Sequence, residues 1–310
     1  MRRELLAILP GHPDLPPLGD CGVVQDHGFT AIHVPPTPLW IRGKMLRQRR
    51  LEEAPARQKL LEGLMPSGTV LPFAPGNVIE IAQMPDLLNC NRDMLDGLAR
   101  RLSSVVQYQV SVGWDAPRVL ERFRDAPEIV PLFSDAAVSG PALSSAVTRL
   151  AQRLGREISA RLEGVARELV ELPCGANMIA NAAVLVGTSE DAGLDAALSD
   201  IDAIWTEGFR IRQVGPGPAV SFATLQLHQV SASGVAAAFE RLGVKAPGTP
   251  DGVREARQAL LRKPDCDAAA IRHAARIALA AGSTASSGPI ALIDTWSEGV
   301  SVTPGLEAVA

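Results

Sequence analysis

In the middle of the chain, Leu143, Val147, Leu150, Leu154, Ile158, Leu162, Val165, Leu169 and Leu172 recur at steps of three and four. That is the period of one helix face. Pro141 suits a first helical position, and Arg149, Arg153, Arg156, Arg161 and Arg167 fill the polar side. Pro173 and Gly175 close the pattern. The spacing predicts a single helix over 141–172, a rod of roughly 45 Å. A rod of that length joins two parts of a molecule or extends a contact face.

The flanking sequence carries strands. Glu4–Leu9, Phe29–Val34 and Val70–Phe73 are short apolar runs bounded by Pro and Gly, which reads as strands. Residues 44–64 carry a helical pattern that Pro55 is expected to kink or break, and Leu95, Leu98 and Leu102 share a face of a helix over 87–102. Val105–Trp114 alternates Val106, Tyr108, Val110 and Val112 against Gln107, Gln109 and Ser111, a half-buried strand. Strand–helix–strand repeats with Gly-rich turns are missing, so the sheets should be antiparallel, with Val70–Phe73 and Val106–Val112 in one of them. The expectation is an α+β chain. Residues 1–115 form a modified ferredoxin-like domain with an antiparallel sheet. Residues 116–230 form a second α+β domain containing the long helix, the strand Ala180–Val186, a helix striped by Leu194, Leu198, Ile201 and Trp205, and the strand Phe209–Val214. Residues 231–310 form a mostly helical extension, with helices over 236–242, 249–261 and 267–281 and a returning strand at Pro289–Trp296.

Composition excludes several classes. The 310 residues carry a net charge of -4 and only 4% aromatics, unlike a nucleic-acid binder with its basic face or stacking platform. Cys21, Cys90, Cys174 and Cys266 are scattered without a C-x-x-C pair, which speaks against a zinc ribbon and for a reducing compartment. The opening apolar run is cut by Pro10 and Pro13, too short for a signal peptide, and no stretch has the length of a membrane span. A cytoplasmic protein is expected. There is no P-loop, no G-x-S-x-G and no H-E-x-x-H. Gly215-x-Gly217 carries two prolines, which donate no N–H to a phosphate. His33, flanked by Ile32 and Val34, reads as a strand residue with a satisfied hydrogen bond. Asp14, Asp20 and Asp26 read as a solvated loop, and the basic run Arg42–Arg50 as a wetted helix face. No catalytic, cofactor or metal site is expected.

Three stretches together resemble the gas vesicle synthesis protein GvpL/GvpF family. They are Leu15-Pro16-Pro17-Leu18-Gly19, then Val70-Leu71-Pro72-Phe73-Ala74-Pro75-Gly76-Asn77-Val78, and finally Asn181–Val186 followed through a helix by Glu207–Phe222 with its Gly215-Pro216-Gly217-Pro218 turn. The family tends to read V-L-P-V-R-F-G-T-V in the second block and G-P-x-P-P-Y-S-F at the end of the third. Ala74, Pro75, Ala219 and Val220 depart from that pattern. The resemblance covers about residues 1–225. It implies two α+β domains, the first of modified ferredoxin-like fold, and an accessory role in building gas vesicles without a cofactor. The partners it implies are the small hydrophobic shell protein and other accessory proteins, and the location it implies is the cytoplasm and the gas vesicle. The motif residues Leu71, Pro72, Gly76, Gly215, Pro216, Pro218 and Phe222 are the candidates for an interaction surface or a structural turn. The tail loosely resembles the opening of a J-domain, but Lys263-Pro264-Asp265 stands where His-Pro-Asp is required, so no chaperone stimulation is expected. The rival reading is a small-molecule sensor or enzyme built on paired ferredoxin-like domains.

Overall fold

In the computed structural model, which describes residues 1–36, 43–134, 139–283 and 289–296, the apolar opening run becomes β1 (Arg2–Pro10). Leu5, Leu6, Ala7, Ile8 and Leu9 are all fully buried, because β1 is an inner strand covered on both faces. On one side it pairs antiparallel with β3 (Phe29–Val34), which continues to β2 (Gly22–Asp26). A single helix, α1 (Gly43–Leu64), follows and runs through Pro55 rather than breaking there. The basic run 42–50 lies outside the residues whose side chains are described. The chain then returns to the free side of β1 as β4 (Leu71–Pro72) and β5 (Val78–Glu80). The expected helix over 87–102 is two, α2 (Met84–Cys90) and α3 (Arg92–Arg101).

The sheet order is β4-β1-β3-β2, so the strands lie fourth–first–third–second by their order in the chain. That is the arrangement of a ferredoxin-like split βαβ. It is modified as expected: the Pro- and Gly-rich segment from Gly11 to Cys21 stands where the first crossover helix would run.

The same order recurs. β6 (Val105–Trp114) leads through α4 (Val119–Arg122), α5 (Val130–Ser134) and α6 (Gly140–Glu163) to β7 (Glu168–Glu171) and β8 (Met178–Gly187). Then α7 (Asp191–Asp202) leads to β9 (Phe209–Gly217). The sheet is β9-β6-β8-β7, again fourth–first–third–second, here with both helical crossovers. All its pairings are antiparallel. β6 therefore opens the second sheet and does not join Val70–Phe73 in the first. Its alternation is real, with Val106, Tyr108, Val110 and Val112 buried, but alternation specifies a buried face and not a partner strand.

α6 buries Ala146, Leu150, Leu154, Ile158 and Leu162, the first part of the expected long helix. It ends at Glu163, not Leu172. Gly164 stops it, and Arg167 and Leu172 donate their N–H groups to Leu185 and Asn181, both at 2.8 Å, binding the β7 segment to β8. Leu169 and Leu172 continue the helical spacing only by coincidence. Gly155 lets α6 approach β8 closely, since a Cβ there would meet the Ile179 carbonyl at 2.6 Å.

The remaining chain adds β10 (Thr224–Val230), α8 (Ala232–Leu242), α9 (Pro250–Leu261), α10 (Ala268–Ser283) and β11 (Ile290–Trp296). The caps follow from sequence. Ser231 Oγ and Thr249 Oγ1 accept the N–H groups of Gly234 and Gly252, both at 3.2 Å. β10 and β11 pair antiparallel along seven residues, from Thr224↔Trp296 to Val230↔Ile290. The late strand falls at the expected Pro289–Trp296, and β10 is a further strand that the expectation lacks. Phe239, Leu242, Val253, Ile271, Ala275 and Leu292 form the core of this part, and Cys90 of α2 packs against it.

The described residues divide into two compact units, one of residues 1–103 with 223–296, the other of residues 104–222. These boundaries differ from the three-part division at 115 and 230. The tail shares a core with the first domain, and β6 belongs to the second.

Candidate functional site

The first motif segment sits on the edge of β1 away from β3. Leu71 is fully buried opposite Ile8, and Pro72 is opposite Ala7. Phe73 and Ala74 then leave the strand by donating to the carbonyls of Leu6 (2.9 Å) and Leu225 (2.8 Å). Gly76, at φ +91°, turns the chain back, and its N–H donates to Glu4 Oε1 at 2.9 Å. Glu4 is 5% exposed and is met by Arg57 of α1, whose Nη1 lies 3.3 Å from Oε1. The other arm of Arg57, Nη2, donates to the carbonyls of Phe73 (2.8 Å) and Leu5 (3.1 Å). Burial lowers the Arg57 pKa from its ordinary value, while Glu4 and Glu53 oppose that shift. Asn77 finishes the loop: its Nδ2 donates to Ala74 O (2.6 Å) and its Oδ1 accepts the Leu227 N–H (2.7 Å). One buried ion pair and one asparagine thus fix the loop 73–78 to α1, β1 and β10.

The second segment ends β9. Gly215 has φ +140°, and a Cβ on it would meet Tyr108 Cδ1 at 2.7 Å and the Gln107 carbonyl at 2.8 Å. Only glycine fits both requirements. The Gly215-Pro216 peptide is cis. Pro216 is exposed, whereas Pro218 is buried and Phe222 is 2% exposed. Gln107 clamps the run that follows: its Oε1 accepts the Ser221 N–H at 2.9 Å and its Nε2 donates to Ser221 Oγ at 3.2 Å. Tyr108, the neighbour that requires Gly215, donates its hydroxyl to Asp191 Oδ1 at 3.1 Å, at the start of α7. Burial and that bond to Asp191 raise the Tyr108 pKa.

Leu71, Pro72 and Gly76 lie in one compact unit, and Gly215, Pro216, Pro218 and Phe222 in the other. The anchors Arg57, Asn77 and Gln107 were not among the sequence candidates. Gln107 was legible only as the polar side of an alternating strand, and nothing in the sequence links Glu4 to Arg57. Among the described residues no group of three or more His, Cys, Asp and Glu side chains is placed to hold a metal. Lys263-Pro264-Asp265 borders an open groove of about 620 Å3 together with Arg241, Leu260, Cys266 and Ile271. No described helix is long and apolar enough to cross a membrane.

Fold and turns together describe a two-unit α+β protein in which motif residues hold backbone in place. The family follows from a direct match. Residues 23–224 match the family model of the gas vesicle synthesis protein GvpL/GvpF, and the chain belongs to that family, a family of gas vesicle accessory proteins. Two solved structures share its fold. The gas vesicle protein GvpF from Anabaena sp. PCC7120 is 20% identical with a TM-score of 0.56, covering 71% of this chain and 97% of that one. GvpF from Microcystis aeruginosa is 20% identical with a TM-score of 0.51, covering 71% of this chain and 98% of that one. No curated protein matches the chain.

Proposed function

We propose that this chain is a non-catalytic assembly factor of the gas vesicle, acting in the cytoplasm and at the vesicle by binding the hydrophobic shell protein and other accessory proteins. The observation that carries this reading is the family match across 23–224. The physical logic is that a shell protein with an apolar face is an aggregation hazard until it is assembled, and a partner that covers the face removes the hazard. In this reading the exposed parts of the two motifs, Pro75-Gly76 and Gly215-Pro216, meet partners. The buried parts, Leu71, Pro72, Pro218 and Phe222, hold them in place. Deleting the gene should abolish gas-filled vesicles, read as pressure-sensitive light scattering of cells, while growth on ordinary carbon sources stays normal. The tagged chain should co-purify with the shell protein. Normal vesicles in the deletion strain would refute the assembly role.

A further inference from the structure

β9 is the last strand of the second sheet and pairs only with β6, so its outer edge has no strand partner among the described residues. Phe209 and Ile211 turn to the helix-covered face with Trp114 and Val112. Arg210, Arg212 and Val214 turn to the other face, beside Gly113, Ser111 and Gln109. Both arginines are exposed, and Val214 is 48% exposed. Neither arginine has an ion-pair or hydrogen-bond partner among the described residues. A free edge, two unpaired cations two residues apart and an exposed apolar side chain two residues beyond therefore form one row, about 14 Å long. Pro216 ends it, having no N–H to offer a further strand.

We propose that the outer edge of β9 is a docking site for an acidic, extended protein segment. The segment adds as a further strand and sets carboxylates opposite Arg210 and Arg212 and an apolar residue opposite Val214. The backbone edge calls for a strand, because an extended segment pairs with its N–H and C=O groups in register. The two arginines select charge, because opposite charges directly across a strand pair attract and like charges repel. The same rule disfavours a second copy of this chain on the edge, since antiparallel pairing would set the arginines of the two copies against each other. This inference deepens the binding role proposed above and rests on it.

The test uses the full chain and a labelled decapeptide of alternating glutamate and threonine, read by fluorescence anisotropy. Binding is expected, weakening as salt rises from about 50 to 300 mM. It should weaken about tenfold or more in the Arg210→Glu/Arg212→Glu variant and survive in Arg210→Lys/Arg212→Lys, which keeps the charge and controls for folding. A decapeptide with lysine for glutamate should not bind, nor should an acidic one with proline for threonine, which keeps the charge but cannot form a strand. No binding by the acidic peptide, equal binding by the proline peptide, or binding indifferent to charge reversal would each overturn the proposal. So would self-association of an Arg210→Gln/Arg212→Gln variant without peptide binding by the parent, because the arginines would then only guard the edge. Vesicle loss in the deletion strain is scored separately: lost vesicles with no peptide binding would refute this edge and leave the assembly role standing.

Discussion

At the scale of single residues, the most constrained groups are those whose polar atoms lie away from water. Glu4 and Arg57 are the clearest pair. Removing one partner from a buried ion pair leaves the other uncompensated and costs about 3–5 kcal/mol, whereas an apolar pair in its place can be neutral. Arg57→Ala should therefore lower urea stability by that order, and Glu4→Leu combined with Arg57→Met should recover much of the loss. Additive losses would show that the two side chains act apart. His33 makes a second case. It is 4% exposed, its Nδ1 has no hydrogen-bond partner, and Gly22 leaves room for its ring, which a Cβ there would strike. Burial, with help from Arg3, lowers its pKa below 6.5. The folded state thus prefers neutral imidazole, and the unfolded chain binds the proton more readily. The contribution is present above about pH 6.5 and fades as the pH falls below it. His273, shifted the same way chiefly by burial, adds a slope of the same sign. His33→Leu should flatten the fall in melting temperature between about pH 7 and 5 without abolishing it. An unchanged slope would mean that His33 does not titrate with unfolding.

At the scale of elements, Asn91 decides where one helix becomes two. The apolar stripe across 87–102 is continuous, which is why the sequence reads as a single helix there. Asn91 is 3% exposed. Its Nδ2 donates to Leu87 O (2.8 Å) and its Oδ1 accepts the Ile293 N–H (2.9 Å), so it interrupts α2–α3 and holds β11. Asn91→Ala should cost about 1–3 kcal/mol and speed hydrogen exchange first at Ile293; uniform exchange would show that the bond is incidental. The same contrast governs what was legible elsewhere. Local patterns are legible: the alternation of β6, the stripe of α6, the starts of α9 and α10 at Thr249 and Asp267, the Gly-Pro turn; α8 begins at Ala232, a turn before the expected 236, because Ser231 caps it. Pairing across long separations is not: the alternation of β6 names no partner strand, and Leu169 fits a helical spacing although it lies in β7. β10 is hard to read although Leu225 and Val230 face the core, because its Leu225–His228 alternation is only four residues long before Gln229 falls on the apolar phase and Val230 out of it. The candidate site shows the same limit. The motif residues stood out, but Arg57, Asn77 and Gln107 acquire their roles only from partners far along the chain. At the Gly-Pro turn, Gly215→Ala should destabilise the second unit by about 1–3 kcal/mol, since it adds a clash to a positive φ. Wild-type stability would show that the turn can shift.

At the scale of the whole molecule, the tail is part of the first unit's interior. Cutting the chain after Phe222 would remove the strand that pairs with Phe73 and the helices that cover Cys90. Residues 1–222 alone should therefore aggregate or bind a hydrophobic dye, and a soluble, cooperatively melting fragment would contradict this. Replacing Pro216 and Pro218 by Gly frees backbone that the rings hold. In cells it should lower vesicle yield more than protein level, read by pressure-sensitive scattering beside an immunoblot; yield that only tracks protein level would make the turn structural and nothing more. The division of the chain also bears on its synthesis. Among the described residues the second unit is one uninterrupted stretch, 104–222, inserted in the sequence of the first, whose last strand is Ile290–Trp296. A ribosome adding about 5–20 residues per second delivers residues 104–222 in full, while the first unit must wait roughly 10–40 s between Ser103 and β11. During that interval the face around Cys90 stands open on the nascent chain, although α2, which carries it, is among the first helices made.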